Sequence, residues 1–187
     1  MTASYRKIRI NEKHFQDAAK IIENAPIYKN SHRKENANQV GFLGEIVFED
    51  FLETAGIEFS KDKKTTHDYS IRDDIKVELK TKDRTVMPKL NFDNSVPLYN
   101  HVHQQPDFYY FISLERQKSQ ISNDIRRFKY AYILGGTDRK TLHEKGIIWK
   151  EGDVDPSNGT KFWTSCINIG MKDLTENKEM IKKFRRI

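Results

Sequence analysis

The chain has 187 residues, 36% hydrophobic and 32% charged, with a net charge of +6. Its 8 Tyr, 11 Phe and 2 Trp exclude a disordered chain, and its length suits one domain over 1–187 with a buried core. The lone Cys166 excludes an internal disulfide and a cysteine-based zinc site, and the basic excess makes nucleic acid the first partner to consider.

The opening "MTASYRKIRINEKHF" has no apolar signal core, and no apolar run approaches the ~20 residues of a membrane span. A reducing, cytoplasmic setting with no membrane partner is expected. The first helix is predicted over 11–24. Asn11 caps it, Phe15, Ala18, Ala19 and Ile22 form its apolar stripe, and Pro26 ends it. Residues 28–39, "YKNSHRKENANQ", read as a loop or an exposed helix end. A stronger helix follows over 39–56, with Val40, Leu43, Val47, Phe51 and Leu52 on one face and Gly56 as its stop. Gly41 and Gly44 weaken that helix, and close approach of another backbone is the expected reason.

Residues 57–60 read as a short strand. Then comes "HDYSIRDDIKVELKTK", 67–82, which alternates like a buried hairpin although it is full of charge. Side chains on a strand turn to opposite faces, so Glu78 and Lys80 share one face while Val77 and Leu79 share the other. With Arg72, Asp73 and Asp74 as the loop, Ile71 faces Ile75, Ser70 faces Lys76 and Tyr69 faces Val77. Counting one step further sets Asp68 opposite Glu78, with Cβ atoms ~5 Å apart. A two-residue loop would set Asp68 against an apolar residue, so the alternation favours the register that clusters the charges.

Two carboxylates at that distance need a cation between them. Lys80 supplies one, giving a structural ion cluster. A divalent ion is the stronger solution, held by Asp68, Glu78 and the main-chain carbonyl of Leu79. Mg²⁺ needs only one or two protein carboxylates, and Mn²⁺ is expected to substitute. Lys80 would then sit where it can orient or deprotonate an attacking water beside a phosphodiester.

Further strands are predicted over 107–114 and 128–136, a short helix over 137–146 with a Thr137 cap, and strands in "GIIWK" and "KFWTSCINI". The end, "KDLTENKEMIKKFRRI", reads as a basic helix or a frayed tail. The fold class is α/β with a mixed sheet (α+β in element order) flanked by helices.

The ordered set "GFLGE" with Glu45, "HDY" with Asp68 and "ELK" with Glu78 and Lys80 resembles the PD-(D/E)xK nuclease superfamily over roughly 39–114. The superfamily's first proline is replaced by His67. By contrast, Glu176-Asn177-Lys178 repeats Glu-x-Lys without strand periodicity or a preceding acid. The resemblance implies a restriction endonuclease-like core over about 39–136, with the N-terminal helix and a C-terminal β/α extension packed on it. It implies that Asp68 and Glu78 bind Mg²⁺, that Lys80 activates water, and that Glu45 joins the metal shell directly or through water. A Gln on a second core helix would fall at Gln104 or Gln105.

The expected activity is that of a Mg²⁺-dependent deoxyribonuclease, an endonuclease hydrolysing DNA by activated water, with RNA left open as substrate. The alternatives are a Holliday-junction resolvase or restriction-type enzyme, each implying a homodimer, and a non-cleaving nucleic-acid-binding module. Lys82, Arg84, His67 and Gln104 are the candidate nucleic-acid contacts nearest the site. The basic runs 5–9, 32–34, 61–64, 126–127 and 182–186 are further phosphate contacts or solvated faces. His101 and His103 share a strand face and are a weaker metal pair. Ser113 and Cys166 lack an evident base, so no covalent nucleophile is expected.

Overall fold

Apolar alternation in the hairpin and the aromatic-rich runs beyond residue 107 build one central sheet, and the amphipathic helices cover it. The structure is a computed structural model that describes residues 4–24, 35–61, 66–72, 74–100, 104–119 and 124–186. In chain order it runs β1 (Arg6–Arg9), α1 (Glu12–Asn24), α2 (Glu35–Thr54), β2 (Phe59–Lys61), β3 (Tyr69–Ile71), β4 (Ile75–Arg84) and β5 (Asp93–Pro97). It continues with β6 (Phe108–Arg116), β7 (Phe128–Asp138), α3 (Arg139–Lys145), β8 (Ile147–Trp149), β9 (Cys166–Gly170) and α4 (Asn177–Arg186). The main sheet has six strands in the order β1-β7-β6-β4-β3-β2. Only β4 and β6 run parallel, so the sheet is mixed. A second sheet of three strands, β5-β9-β8, is antiparallel.

The two faces of β4 serve two cores. Ile75, Val77 and Leu79 pack with Tyr110, Ile112 and Leu114 of β6 and with Leu43, Val47, Phe48 and Phe51 of α2. The opposite face carries Glu78 and Lys80, in register with Tyr109 and Phe111. Tyr109 and Phe111 join Val96, Ile167 and Ile169 of the small sheet in a separate apolar cluster. Glu78 and Lys80 therefore stand on the face of β4 that looks away from α2.

Local chemistry explains the helix ends. The Asn11 side chain accepts from the His14 amide at 3.0 Å, capping α1 as its sequence predicts. Gly56 follows α2 with φ 65°, a left-handed conformation that glycine adopts without strain. α2 begins at Glu35, earlier than its apolar periodicity indicates. α3 is capped by Asp138 rather than Thr137: Asp138 Oδ1 accepts from the Thr141 amide at 2.8 Å, while Thr137 lies inside β7. The carboxylate wins because it takes the amide and the Thr141 hydroxyl together.

Gly44 has a packing reason. A Cβ there would lie 2.0 Å from Thr81 Oγ1, so α2 crosses β4 where only glycine fits. The neighbour is a side chain, not the backbone expected from the sequence, and Gly41 has nothing within 4 Å of its Cβ position.

Two strands escape the periodicity. β1 lies in the run read as phosphate contacts, and β5 is the short "DNSVP". Strand β9 starts at Cys166, so 161–165 of the predicted strand lie outside it. No second α-helix lies between β4 and β6 among the described residues, only a 3-10 turn at Leu98–Asn100. That crossover runs through β5, and Gln104 and Gln105 stand in an irregular lead-in to β6. The C-terminal segment is a docked helix: Met180 and Phe184 are fully buried in the main core. Among the described residues no helix is long and apolar enough to cross a membrane.

Candidate active site

The hairpin adopts the register that its alternation predicts: Tyr69 faces Val77, Ser70 faces Lys76 and Ile71 faces Ile75. Arg72 takes φ 51° in the turn, and Asp73 lies outside the described residues. The ladder stops at Tyr69, so Asp68 is not the cross-strand partner of Glu78. Instead the Asp68 amide donates to the Val77 carbonyl at 3.1 Å. Its Oδ2 then accepts from the Leu79 amide at 2.7 Å. β3 is only three residues long, and the Asp68 carboxylate replaces the strand that would have satisfied the next amide of β4.

That substitution creates a fork. The N–H and C=O of one strand residue point to the same edge. The Leu79 amide points at Asp68, so the Leu79 carbonyl also faces the edge that β3 has left.

Beside the fork lies Glu78, 2% exposed. Its Oε1 accepts from Lys80 Nζ at 2.5 Å, while its Oε2 is buried and has no hydrogen-bond partner among the described residues. A buried carboxylate oxygen without a donor is costly unless a cation reaches it. Burial pushes the Glu78 carboxyl up to about 7, with Lys80 opposing and Asp68 adding to the rise. Asp68 is raised as well, again by burial, although the Leu79 amide and Lys80 oppose it.

Glu45 sits on α2, pushed up to about 7 by burial and by Asp68 and Glu49 despite the pull of Lys61. Lys61 Nζ, at the end of β2, lies 3.4 Å from Glu45 Oε2 and 2.6 Å from Glu49 Oε1. Tyr69 Oη donates to the same Glu49 oxygen at 3.0 Å. Glu49 and Tyr69 are site neighbours that sequence reasoning missed, and Lys61, read there as a phosphate contact or solvated face, pairs instead with Glu45 and Glu49. The four-residue step from Glu45 to Glu49 was a usable signal, since it places both on one side of a helix. Lys61 could be joined to them only by the fold.

The remaining candidates are spread out. His67 is buried, its Nδ1 2.9 Å from Thr66 Oγ1 and its Nε2 2.9 Å from Ser70 Oγ, so both ring nitrogens are engaged locally. Arg84 donates to Ser113 Oγ at 3.0 Å and to the Asp93 carbonyl at 2.8 Å, with Phe92 under its guanidinium. It ties β4 to β5. Lys82 lies near enough to Cys166 to oppose the burial that raises that thiol. Gln104 is half-buried, and Gln105 accepts from Arg139 at 3.1 Å. A cavity of about 480 Å³ is lined by Asp83, Arg84, Thr85, Val86, Phe92 and Arg116, further along β4 than Lys80. It contains none of the clustered carboxylates.

Several basic runs are tied down internally. Arg126 pairs with Glu12, Arg127 donates to the Asp124 carbonyl, and Arg185 donates to the Ala55 carbonyl. His101, His103, the run 32–34 and residues 62–64 lie outside the described residues.

Among the described residues no group of three or more His, Cys, Asp or Glu side chains is arranged as a ready metal centre. Mg²⁺ makes smaller demands: one or two carboxylates, with water completing its octahedron. The buried, donor-free Glu78 Oε2, the nearby Asp68 and the outward Leu79 carbonyl form a hard oxygen set that fits it. No protein-family model matches the chain, and no curated protein gives a significant match.

Proposed function

We propose that the protein is a Mg²⁺-dependent deoxyribonuclease of the PD-(D/E)xK kind, acting as an endonuclease on a restriction endonuclease-like core. The observation that carries this reading is the Glu78 Oε2 atom, buried and without a donor beside Asp68 and Lys80. The element order supports it: a helix with Glu45, an antiparallel meander β2-β3-β4, then β6 parallel to β4. The irregular crossover in place of a second helix is where the chain departs from that pattern.

Asp68, Glu78 and the Leu79 carbonyl would hold the cation, and Mn²⁺ suits the same oxygens. When bound, the cation supplies charge neutralisation for the phosphate and acidifies the attacking water. Lys80 Nζ, held by Glu78 Oε1, would orient the attacking water and stabilise the developing phosphorane charge, with the water's proton passing to solvent and the leaving oxygen taking one from solvent. Asp68 is held in place by the Leu79 amide, so its carboxylate is oriented before substrate arrives. Glu45 acts at longer range, through its charge or through a water.

The test is cleavage of plasmid, linear and branched DNA and of RNA, in Mg²⁺ and in EDTA. Glu78→Ala and Lys80→Ala are carried through the same purification. Each is expected to lose at least ~10²-fold in rate. Cutting that persists in EDTA, or in both variants, would sink the mechanism. Salt-sensitive binding with no turnover would instead identify a non-cleaving module, in which the Lys80–Glu78 pair is structural. Preference for four-way junctions and a dimeric solution mass would identify a junction-resolving enzyme.

A further inference from the structure

The two ends of the carboxylate cluster are built differently. On the hairpin side, Glu78 Oε2 is buried with no donor among the described residues. On the α2 side, Glu49 Oε1 has two donors, Lys61 Nζ at 2.6 Å and Tyr69 Oη at 3.0 Å. Lys61 also reaches Glu45 Oε2 at 3.4 Å. Burial disfavours its ammonium, but Glu49 and Glu45 outweigh that and push its pKa up. Lys61 stands directly across from Tyr69 in the β2–β3 ladder, one residue from Asp68.

Two carboxylate groups thus meet two ammonium groups: Lys61 lies between Glu45 and Glu49, and Lys80 pairs with Glu78 on the Asp68 side. Hydrolases that cleave phosphodiesters often use a second divalent ion beside the first. We infer that Lys61 is a tethered cation that takes the place of the second ion, so that the site accepts one divalent cation per chain, on the Asp68–Glu78 side. Its lysine stem, anchored on β2, sets the ammonium between Glu45 and Glu49 and keeps both carboxylates out of the coordination shell. Lys61 is a positioning residue, since it acts through those carboxylates and touches no reacting atom.

This inference rests on the nuclease reading, and metal counting separates the two. Mn²⁺ is titrated into the DNA-free protein by calorimetry, with free Mn²⁺ followed by electron paramagnetic resonance. Wild type and Lys61→Arg are expected to bind one Mn²⁺ per chain. Lys61→Met and Lys61→Gln, which remove the charge with and without an apolar replacement, are expected to bind two. Far-UV circular dichroism establishes that each variant is folded, and either neutral variant suffices. One Mn²⁺ in a folded neutral variant, or two in wild type, overturns the role of Lys61 and leaves the nuclease reading standing. No Mn²⁺ in wild type overturns both.

Discussion

Among single residues, Glu78 is the most consequential. It is buried on a strand, yet only one of its oxygens is satisfied. Its carboxyl and that of Glu45 are each pushed up to about 7 from an ordinary 4.5, chiefly by burial. A carboxyl raised in the folded state binds more protons there than in the unfolded chain, between the ordinary value and the raised one. Stability therefore falls as pH rises through that window. In the absence of divalent cations the protein is expected to melt higher at pH 5.5 than at pH 8. Glu78→Gln keeps the shape and removes the charge. It is expected to gain on the order of 1–3 kcal/mol at pH 8 and to flatten the profile. Calorimetric melts across that range check this, and a wild-type melting temperature that climbs from pH 5.5 to 8 would contradict it.

For the individual elements, the crossing of α2 over β4 fixes where Glu45 and Glu49 meet the hairpin. That crossing depends on Gly44, where a Cβ would come within 2.0 Å of Thr81 Oγ1. Gly44→Ala is expected to cost about 1–3 kcal/mol through overpacking. Gly41, on the same helix, has open space around its Cβ position. Gly41→Ala is expected to stabilise by about 0.5–1 kcal/mol through reduced unfolded-chain entropy. Denaturant melts of the two variants should therefore shift in opposite directions, and equal shifts would mean the contact with Thr81 does not govern the crossing. Adding Thr81→Ala to Gly44→Ala should cost less than the sum of the two, because the residues share one contact.

Over the whole molecule, the main core is closed by residues far apart in the chain. Phe184 of α4 packs against Phe108 and Tyr110, and Met180 sits beside Gly136, where the Thr175 backbone pairs with the end of β7. A C-terminal helix so placed is part of the core. Phe184→Ala is expected to cost about 3–5 kcal/mol. Chemical denaturation monitored by tyrosine and tryptophan fluorescence checks this. A loss below about 1 kcal/mol would mean α4 is peripheral.

Much of the fold was legible because it depends on short-range rules. The helical spacing of Leu43, Val47 and Phe51, the Asn11 cap and the strand alternation of 75–79 each settle a local structure. The hairpin register was legible for the same reason: one apolar face must be buried, and only one loop length allows it. The candidate nuclease triad of Asp68, Glu78 and Lys80 was legible as residue types, but not its geometry. The sequence placed Asp68 across from Glu78, whereas the fold ends β3 early and turns Asp68 to the Leu79 amide. The Lys61 bridge to Glu45 and Glu49, the small sheet over the opposite face and the docking of α4 were hidden. Each joins segments far apart in the chain, and neither propensity nor periodicity carries information about such pairings. Sequence alone thus determined which elements form and which side chains share a face. Tertiary structure decided which carboxylate keeps a buried, donor-free oxygen and which is already neutralised by a lysine, because that depends on desolvation and on partners that only folding brings within reach.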